Sequence, residues 1–462
     1  VTMSSSAIAT VIVKVSCVTG CKVRKGEPCA PLPSERRLLT SLSLPANQVS
    51  LSLSSPLFAY LELTPACNNR CPGCGNVFID EQRPGVDTAG LSPFTAAQWR
   101  EVLAQLRPHI FRLRLTGGEP TLHPEFAEIV RAVAETETPF AVFTNARWPR
   151  PEQVIRLLRG IPQCKGLLVS LHGPDPASHD AFTGVSGSFA ETTANIRRAV
   201  AAGLTVTIST IITKLNYDRI AEIIQLSREL GAKHTVFNRY LTLHDTTLAP
   251  TDEQLITAIR SVDEARRAGA AVKFSVCIPQ CFYPSSSTGC LAGVAYCTVD
   301  PWGNVRPCNH APLLCGNLLE QSIEEIWHGE ALQQWREMLH PDCARCLELP
   351  RCHGGCRAMA LVQGLDHDPL MRGPITEKEP MPPEELTLYE GACPVTRFRL
   401  RPESFGYVLV RGSRIVPVSS AAKPILDACD GQTTLREIRA RFGQAGLDFV
   451  GSLYKRGMIE LM

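Results

Sequence analysis

The sequence lacks any long apolar run, since no stretch of about 20 hydrophobic residues occurs in its 462 residues. We therefore expect no transmembrane helix and no membrane partner. An excess of one charge is also lacking, because 47 Lys and Arg face 45 Asp and Glu, for a net charge of +2. That balance excludes the basic surface typical of nucleic-acid-binding proteins. The apolar run at residues 7–13 follows no Lys or Arg and ends at Lys14, so we predict no secretory signal and a cytoplasmic protein.

Cysteine, in contrast, is abundant. The nineteen cysteines occur in a chain too long to need disulfide stapling, and 44% hydrophobic residues are enough for a sizeable core. In a reducing compartment, clustered cysteines more often bind metals or act in catalysis. Residues 1–55 are rich in Ser, Leu and Pro without periodicity, so we predict a flexible tail and interpret its Cys17, Cys21 and Cys29 as stray thiols.

Residues 56–275 alternate short β-rich runs with amphipathic segments, a pattern typical of parallel βα units. Six such units are too few for a closed eight-fold barrel, so we predict an α/β fold with a partial (β/α)6 TIM-type barrel. Chemistry in such folds lies at the carboxyl ends of the strands. The predicted strands are 58–63, 113–116, 140–144, 166–171, 205–212 and 235–241.

The composition and pattern of the sequence change twice in the remainder of the chain. Residues 276–396 are rich in Cys, Pro and Gly with one helical segment at 322–339, so bound metal is expected to supply the order. Residues 397–462 have the pattern of a small winged-helix module. Its predicted elements are a hairpin (407–410 and 414–416), helices at 421–428, 435–442 and 447–455, and a strand at 458–461.

A C-x3-C-x2-C motif, formed by Cys67, Cys71 and Cys74, follows the first predicted strand. Three thiolates can bind three irons of a [4Fe–4S] cluster and leave the fourth iron open to a substrate. A zinc site is the alternative interpretation of this spacing alone.

A Gly-Gly-Glu run follows the second predicted strand, at Gly117, Gly118 and Glu119. Glycines let a backbone approach a ligand, and a carboxylate can accept from a cationic amine, although a tight βα turn would use the same glycines. Both motifs lie at the ends of consecutive strands, where the predicted barrel would place a site.

Residues 57–275 thus resemble the core of the radical S-adenosylmethionine (SAM) superfamily. In that family SAM chelates the open iron, and an electron from the cluster cleaves it to methionine and a 5′-deoxyadenosyl radical. The resemblance implies that the Gly-Gly-Glu run holds the methionine moiety and that Asn145 and Ser170 lie near the methionine and ribose; a turn-forming Asn and a buried strand Ser are the alternatives. Two positions depart from the family: Gly73 replaces the usual aromatic residue, and residues 181–184 lack an arginine.

The second cysteine group has the spacing C-x2-C-x5-C-x3-C from residue 343, which alone fits a zinc ribbon. Further motifs accompany it: CLAG at 290–293, DPWGNVRPC at 300–308, GNL at 316–318 and SIEEIW at 322–327. Together they resemble the SPASM domain of peptide-modifying radical SAM enzymes, over residues 277–396. The resemblance implies two auxiliary [4Fe–4S] clusters. The implied ligands are Cys290, Cys297, Cys308 and Cys356 for the first cluster, and Cys343, Cys346, Cys352 and Cys393 for the second. Cys315 is a further candidate ligand. We interpret Cys164, Cys277, Cys281 and Cys429 as buried thiols without metal.

Residues 397–462 resemble the PqqD-like peptide chaperone of pyrroloquinoline quinone biosynthesis, and so the RiPP recognition element. ILDACDG at 425–431, TTLREI at 433–438 and the closing residues 453–461 carry this resemblance. In relatives a leader peptide adds a strand to the hairpin and lies against a helix. A DNA-reading winged helix is the alternative, but no basic stripe supports it.

These parts together predict a radical SAM maturase that holds a ribosomally made precursor peptide by its leader and takes a hydrogen atom from it. The product would be a crosslink, an oxidation or a fragmentation, and family resemblance implies a flavodoxin or ferredoxin as reductant. Three alternatives stay open: a side-chain-oxidising maturase of the sulfatase-maturing type, a quinone-cofactor enzyme forming a C–C bond, and a non-catalytic zinc or iron–sulfur protein. His172, Asp175 and His244 lie near strand ends, but no catalytic residue is assigned.

Overall fold

A computed structural model describes residues 2–3, 11–16, 53–77, 91–241, 245–284, 289–377 and 384–462. The chain forms two compact units, one of residues 52–344 and 354–374, the other of residues 1–51, 345–353 and 375–462. Among the described residues, no helix is long and apolar enough to cross a membrane. The predicted domain boundaries at residues 276 and 397 stay predictions. Cys17, Cys21, Cys29 and His244 lie outside the described residues.

Two short strands near the amino terminus, β1 (Thr2–Met3) and β2 (Val11–Ser16), belong to the smaller unit. β2 pairs in parallel with a later strand, Glu384–Tyr389. Its Val13 side chain is buried in the core of that unit, and the Val13 N–H donates to Asp448 Oδ1 at 2.9 Å. Apolar burial and paired backbone groups therefore hold residues 11–16 in a strand, and the flexible tail predicted over residues 1–55 stays a prediction.

The larger unit is built on one nine-stranded sheet. All six predicted strands are present and each pairs in parallel with the next, so the partial barrel is confirmed. The strands are β3 (Phe58–Glu62), β4 (Arg112–Thr116), β5 (Phe140–Thr144), β6 (Cys164–Ser170), β7 (Val206–Ile211), β8 (His234–Asn238), β9 (Val272–Phe274), β10 (Tyr296–Val299) and β11 (Val305–Arg306). Their order across the sheet is β11-β10-β3-β4-β5-β6-β7-β8-β9, and the β10–β11 pair is antiparallel.

Helices follow the strands and cover the outer face of the sheet. Capping boxes at Thr95 and Thr251 begin the first and last of them, as a Thr followed three residues later by Gln allows. These helices are α1 (Ala96–Leu106), α2 (Phe126–Glu135), α3 (Pro151–Arg159), α4 (Pro176–Thr183), α5 (Ser188–Ala201), α6 (Ile220–Glu229) and α7 (Asp252–Arg267).

The two faces of the sheet differ in exposure. On β4, Leu113 and Leu115 are fully buried in the core shared with the helices, whereas Arg112, Arg114 and Thr116 alternate with them and are partly exposed. The same alternation occurs on β5 and at the end of β6. Side chains of one parity thus build the core, and those of the other parity line an accessible interior of the barrel, here called the lumen.

After β11 the larger unit has short elements. The predicted helix at 322–339 is two helices, α8 (Ile323–His328) and α9 (Glu330–Glu337), because Gly329 between them is extended at φ −66° and ψ 158°. α10 (Pro341–Ala344), α11 (Leu349–Cys352) and α12 (Arg357–Val362) follow; α11 lies in the smaller unit.

The smaller unit has its own core and contains the predicted hairpin, helices and final strand. The strands are β12 (Glu384–Tyr389), β13 (Pro394–Thr396), β14 (Arg399–Glu403), β15 (Gly406–Arg411), β16 (Arg414–Ser419) and β17 (Ile459–Leu461), and the helices are α13 (Lys423–Asp427) and α14 (Leu435–Lys455). One sheet has the order β1-β16-β15-β14, while β12 pairs with β2 and β13 with β17. Gly443 interrupts α14 with φ +68°, so two helices are present where two were predicted.

Candidate iron–sulfur and cofactor site

The loop after β3 gathers the three thiols of the C-x3-C-x2-C motif. Burial raises the pKa of Cys67 to about 11, and the nearby Glu119 and Cys74 raise it further. Burial also raises the pKa of Cys71, with contributions from Cys74 and Cys67. Crowded thiols that resist losing their protons become stable thiolates when cations bind, so this donor set fits an iron cluster.

Two N–H donors point at the sulfur of Cys67. The Asn69 backbone N–H lies 3.4 Å from Cys67 Sγ, and Asn145 Nδ2 lies 3.8 Å from it. Hydrogen bonds to sulfur stabilise thiolates and help to set the reduction potential of iron–sulfur clusters. Asn145 was predicted as a SAM contact, and the structure places its side chain beside the first cysteine.

An aromatic ring does stand beside Gly73, but it comes from the chain just after β8. A Cβ at Gly73 would lie 2.6 Å from Tyr240 Oη, so a side chain at residue 73 would displace the ring. Tyr240 is buried, and its hydroxyl donates to the Asp245 carbonyl at 2.7 Å. Tyr240 was not identified from the sequence as a neighbour of the cysteine loop. The glycine at residue 73, which leaves room for a ring, was the available signal.

The Gly-Gly-Glu run approaches the backbone of the cysteine loop. A Cβ at Gly117, where φ is +134°, would lie 2.6 Å from the Thr64 carbonyl oxygen, and Gly118 packs equally closely on the next residues. The Gly118 N–H donates to the Thr64 carbonyl and the Glu119 N–H to the Ala66 carbonyl, both at 2.8 Å. The glycines thus join two loops, and their contact with SAM stays a prediction.

The Glu119 carboxylate is fully buried and accepts from several protein donors. The Thr121 hydroxyl donates to it at 2.7 Å, the Thr144 hydroxyl at 2.9 Å and the Asn145 N–H at 2.7 Å. Burial raises its pKa. Glu119 therefore orients the end of β5, and with it Asn145, whereas its predicted contact with a cationic amine stays untested.

Polar side chains continue across the strand ends beyond Asn145. Ser170 ends β6 and stands opposite Ser209 of β7 in the register of the sheet. Asn238 at the end of β8 donates through Nδ2 to Ser209 Oγ at 2.9 Å. Ser170 was predicted as a ribose contact; Ser209 and Asn238 were not identified, although their places at strand ends were a usable signal.

Arg147 holds the cysteine loop from the β5 side. Its Nη1 donates to the Asn68 carbonyl at 2.6 Å and to Asn69 Oδ1 at 2.8 Å, while Nε donates to Glu191 at 3.1 Å. From another side, the Arg70 N–H donates to the Thr183 carbonyl at 2.8 Å. Residues 181–184 thus contact the loop through backbone, and the Arg147 guanidinium lies close enough to lower the pKa of Cys71 against the larger effect of burial.

Four cysteines gather in a second, buried cluster of the larger unit. The Cys277 thiol donates to Cys290 and lowers the pKa of Cys290 to about 7. Cys277 also hydrogen-bonds Cys356, and Cys290 and Cys356 help to raise the pKa of Cys308, which burial raises most. Trp335 belongs to the same apolar cluster. Four thiols gathered in this way match in number the four ligands of a closed [4Fe–4S] cluster.

One predicted ligand, Cys297, lies apart from these four thiols in the structure. Cys297 lies on β10 opposite Ala59, and its side chain is buried in the core between sheet and helices. Burial raises its pKa to about 12, and the neighbouring thiol is that of Cys315. Neither Cys297 nor Cys315 belongs to the described four-thiol group. Cys277, predicted as a buried thiol without metal, lies in that group, and the ligand role of Cys297 stays a prediction.

A buried ion pair anchors the four-thiol group. Asp368 is fully buried, and its carboxylate accepts from the Cys356 N–H at 2.7 Å and from Arg239 at 2.7 and 3.0 Å. Arg239 Nη1 also donates to the Cys277 carbonyl at 3.4 Å. One carboxylate and one guanidinium thus position the backbone of two of the four cysteines.

The ligands predicted for the second auxiliary cluster are divided between the two units. Cys343 belongs to the larger unit, where its Sγ lies 3.8 Å from Met371 Sδ. Cys346, Cys352 and Cys393 belong to the smaller unit. Cys346 Sγ accepts from the Ile375 N–H at 3.3 Å, and the Cys393 thiol donates to the Gln432 carbonyl at 3.4 Å. This ligand set stays a prediction from spacing and resemblance.

The candidate bases at strand ends have structural partners. His172 Nδ1 accepts from the Ile211 N–H at 3.2 Å, and burial lowers the pKa of His172, so the neutral ring carries its proton on Nε2. Asp175 caps α4 by accepting from the Ser178 N–H at 2.9 Å and pairs with Arg219. The catalytic assignment therefore stays open.

Comparisons with known proteins agree with this geometry. The profile of the Radical SAM superfamily matches residues 61–227, and the SPASM profile, an iron–sulfur cluster-binding domain, matches residues 290–347. A PqqA peptide cyclase of Xanthomonas campestris is 30% identical over 345 residues, 70% of this chain and 88% of the relative. An AdoMet-dependent heme synthase of Methanosarcina barkeri is 29% identical over 342 residues, 68% of this chain and 95% of the relative.

One solved structure with a similar fold is Streptococcus suis SuiB bound to its precursor peptide SuiA. It has a TM-score of 0.58 over 70% of this chain and 77% of that chain, at 17% identity. At this level of identity the likeness shows a shared fold.

Proposed function

This chain belongs to the radical SAM superfamily and carries a SPASM iron–sulfur domain, and we propose that it is a maturase that modifies a ribosomally made precursor peptide. The carrying observation is the loop of Cys67, Cys71 and Cys74 at the carboxyl end of β3, held by hydrogen bonds that involve Asn145 and Arg147. The Xanthomonas relative is a peptide cyclase, which supports a peptide as the substrate class.

A cluster held by Cys67, Cys71 and Cys74 would supply, together with bound SAM, the radical chemistry that removes a hydrogen atom from the peptide. The residues of this chain position the reactants. Arg147 and the Thr183 carbonyl hold the cysteine loop, and Glu119 fixes Asn145 beside Cys67. Ser170, Ser209 and Asn238 offer hydrogen-bonding groups across the neighbouring strand ends. We assign the SAM contacts to Gly117, Gly118, Glu119, Asn145 and Ser170.

The four-thiol group of Cys277, Cys290, Cys308 and Cys356 supports an oxidative outcome. Four thiolates leave no open iron, which suits electron transfer better than substrate binding. Tyr296 of β10 lies beside these thiols. Burial makes the largest contribution to raising the pKa of Tyr296, and all four thiols raise it further. Its ring centroid is 5.1 Å from that of Tyr60 in the lumen, so the group borders the space assigned to the substrate.

The sheet of the smaller unit supports leader binding at residues 397–462. β14 is the edge strand of the β1-β16-β15-β14 sheet and pairs with β15 among the described strands. An edge strand has backbone N–H and C=O groups available to an added peptide strand. In this proposal the module is a PqqD-like recognition element with a winged-helix fold, and a leader peptide adds to this sheet.

The remaining partners follow from the chemistry. A low-potential electron is needed for each SAM cleavage, so we assign a flavodoxin or ferredoxin as reductant and the cytoplasm as the compartment. The balanced charge of +2 supports neither a nucleic-acid nor a membrane partner. The second auxiliary cluster is assigned to Cys343, Cys346, Cys352 and Cys393.

The test is a radical-transfer experiment with anaerobically reconstituted protein, SAM and dithionite. The probes are synthetic peptides encoded by short reading frames beside the gene, uniformly deuterated in their core segments. We expect deuterium in 5′-deoxyadenosine and a changed peptide mass, both lost in the Cys67→Ala/Cys71→Ala/Cys74→Ala variant. If a tetrapyrrole, and none of the peptides, transfers hydrogen, the peptide proposal is wrong.

A further inference from the structure

The lumen carries positive charge that no carboxylate of the described residues pairs with. Arg112 and Arg114 both point inward from β4 and are partly exposed there. Neither makes a hydrogen bond or an ion pair with the described residues, and the partners of Arg114 are aromatic rings. Burial lowers the pKa of Arg114 to about 10, which still leaves it cationic at neutral pH.

The acidic residue closest in the sheet is engaged elsewhere. Glu62 ends β3 opposite Thr116, two residues beyond Arg114 on β4. Its carboxylate pairs with Arg306 and accepts from Asn309 Nδ2 at 2.7 Å, and both Glu62 and Arg306 are fully buried. The Glu62 charge is thus compensated by a residue of β11, and the Arg114 charge is left for a ligand.

The Arg114 guanidinium is held in a defined orientation. Its Cζ lies 4.7 Å from the ring centroid of Tyr60 and 5.6 Å from that of Phe143, and the two rings meet edge to face at 5.9 Å. Contact through ring faces fixes a guanidinium while its N–H donors stay in its own plane. A planar fork with free donors matches a carboxylate, which it can bind through two parallel hydrogen bonds.

A carboxylate bound there would lie close to the catalytic loop. Arg114 precedes the strand end at Thr116 by two residues, about 7 Å along a strand. A peptide whose acidic side chain binds Arg114 therefore has that acidic residue, or the residues next to it, beneath the cysteine loop.

We propose that Arg114, oriented by Tyr60 and Phe143, binds the side-chain carboxylate of an Asp or Glu in the segment of the substrate peptide that enters the lumen. This inference rests on the proposed peptide-modifying function and adds a specificity-determining residue to it. SAM also carries a carboxylate, and the test separates the two sources.

The probes are two amidated, N-acetylated pentapeptides, Ala-Gly-Glu-Gly-Ala and Ala-Gly-Gln-Gly-Ala, in which the Glu side chain is the sole carboxylate. Binding to the reconstituted full-length protein is measured by equilibrium dialysis with mass spectrometry. The wild type is expected to bind the Glu peptide at least about tenfold more tightly, as a charge-assisted bidentate pair allows. Arg114→Gln should abolish that preference, and Arg114→Lys, which keeps the charge but not the fork, should retain part of it.

The matched control is Arg131→Gln on α2, whose exposed side chain pairs with Glu128 on the same helix. It should keep the full Glu preference. Equal binding of both peptides to the wild type, or a preference that survives Arg114→Gln, would overturn this inference alone. Binding of neither peptide would count against the peptide function as well. A loss of SAM affinity in Arg114→Gln with the Glu preference intact would place the guanidinium on SAM and overturn the inference.

Discussion

Asp368 is the position at which one substitution is expected to affect both stability and metal content. Its carboxylate is fully buried and accepts from the Cys356 N–H, the Leu370 N–H at 2.9 Å and the Arg239 guanidinium. Removing one partner of a buried ion pair destabilises a protein by about 3–5 kcal/mol, because the other charge stays buried and unpaired. Asp368→Ala is therefore expected to lower the free energy of unfolding by about that amount.

The same substitution removes the anchor of the Cys356 backbone. With Arg239 also released, the Cys277 carbonyl loses its donor, so two of the four gathered thiols lose their positions. Iron after anaerobic reconstitution should fall from about twelve to about eight per chain, the content of three and two [4Fe–4S] clusters. Urea unfolding followed by circular dichroism and colorimetric iron analysis measure the two effects.

A surface pair and a double variant serve as controls. Glu135→Gln breaks the exposed pair with Arg100 and should leave the urea midpoint unchanged. Arg239→Met/Asp368→Leu should recover much of the stability, because no charge is left unpaired, but not the iron. If Asp368→Ala changes stability by less than about 1 kcal/mol, or binds full iron, the anchoring role is refuted.

Three further predictions concern the site. Cys277→Ala should lose about four irons per chain and Cys297→Ala none, as iron analysis and EPR would show; the reverse result would restore the ligand predicted from sequence. Gly73→Ala should lower the free energy of unfolding by about 1–3 kcal/mol, and with it the thermal midpoint, because the added Cβ meets the Tyr240 ring. The double variant Gly73→Ala/Tyr240→Ala should recover part of this stability, and no recovery would contradict the packing of Tyr240 on Gly73. Burial lowers the pKa of His179 from 6.5 to about 4, so protonation of this ring opposes folding. The folded state therefore has its full stability above pH 6.5 and loses at most about 3 kcal/mol as the pH falls towards 4. His179→Asn should flatten the thermal midpoint in that window, and an unchanged slope would argue against the neutral buried ring.

Local patterns predict the barrel well because each strand and helix has its own periodicity. The six strands lie within a few residues of their expected places, and the cysteine loop follows β3 as predicted. The break at Gly329 was missed because a helical period continues through the glycine, whereas its extended backbone depends on how the two short helices pack.

Strand parity predicts the position of Cys297 in the sheet core, apart from the four gathered thiols. Cys297 and Val299 share one face of β10, and Val299 lies in the apolar core, so Cys297 lies there too. Cys277, in contrast, reaches the other thiols through a turn of the chain that carries no sequence period. The spacing of cysteines along the sequence does not distinguish Cys277 from Cys297 as a member of the group.

Long-range contacts were beyond local patterns. Tyr240 meets Gly73 across the strand ends, and Arg147 reaches Asn68 and Asn69 from another loop. The strand at 11–16 pairs with residues 384–389, so its order depends on chain more than 350 positions away. Such contacts exist once the fold has formed.

The most direct test of the central claim compares the wild type with Cys67→Ala/Cys71→Ala/Cys74→Ala after anaerobic reconstitution. Iron per chain and reductive SAM cleavage are measured on the same samples. We predict about twelve irons falling to about eight, with 5′-deoxyadenosine formation abolished. Little iron with stoichiometric zinc in the wild type, or SAM cleavage that survives the triple variant, would contradict the assignment of the catalytic cluster to these three cysteines.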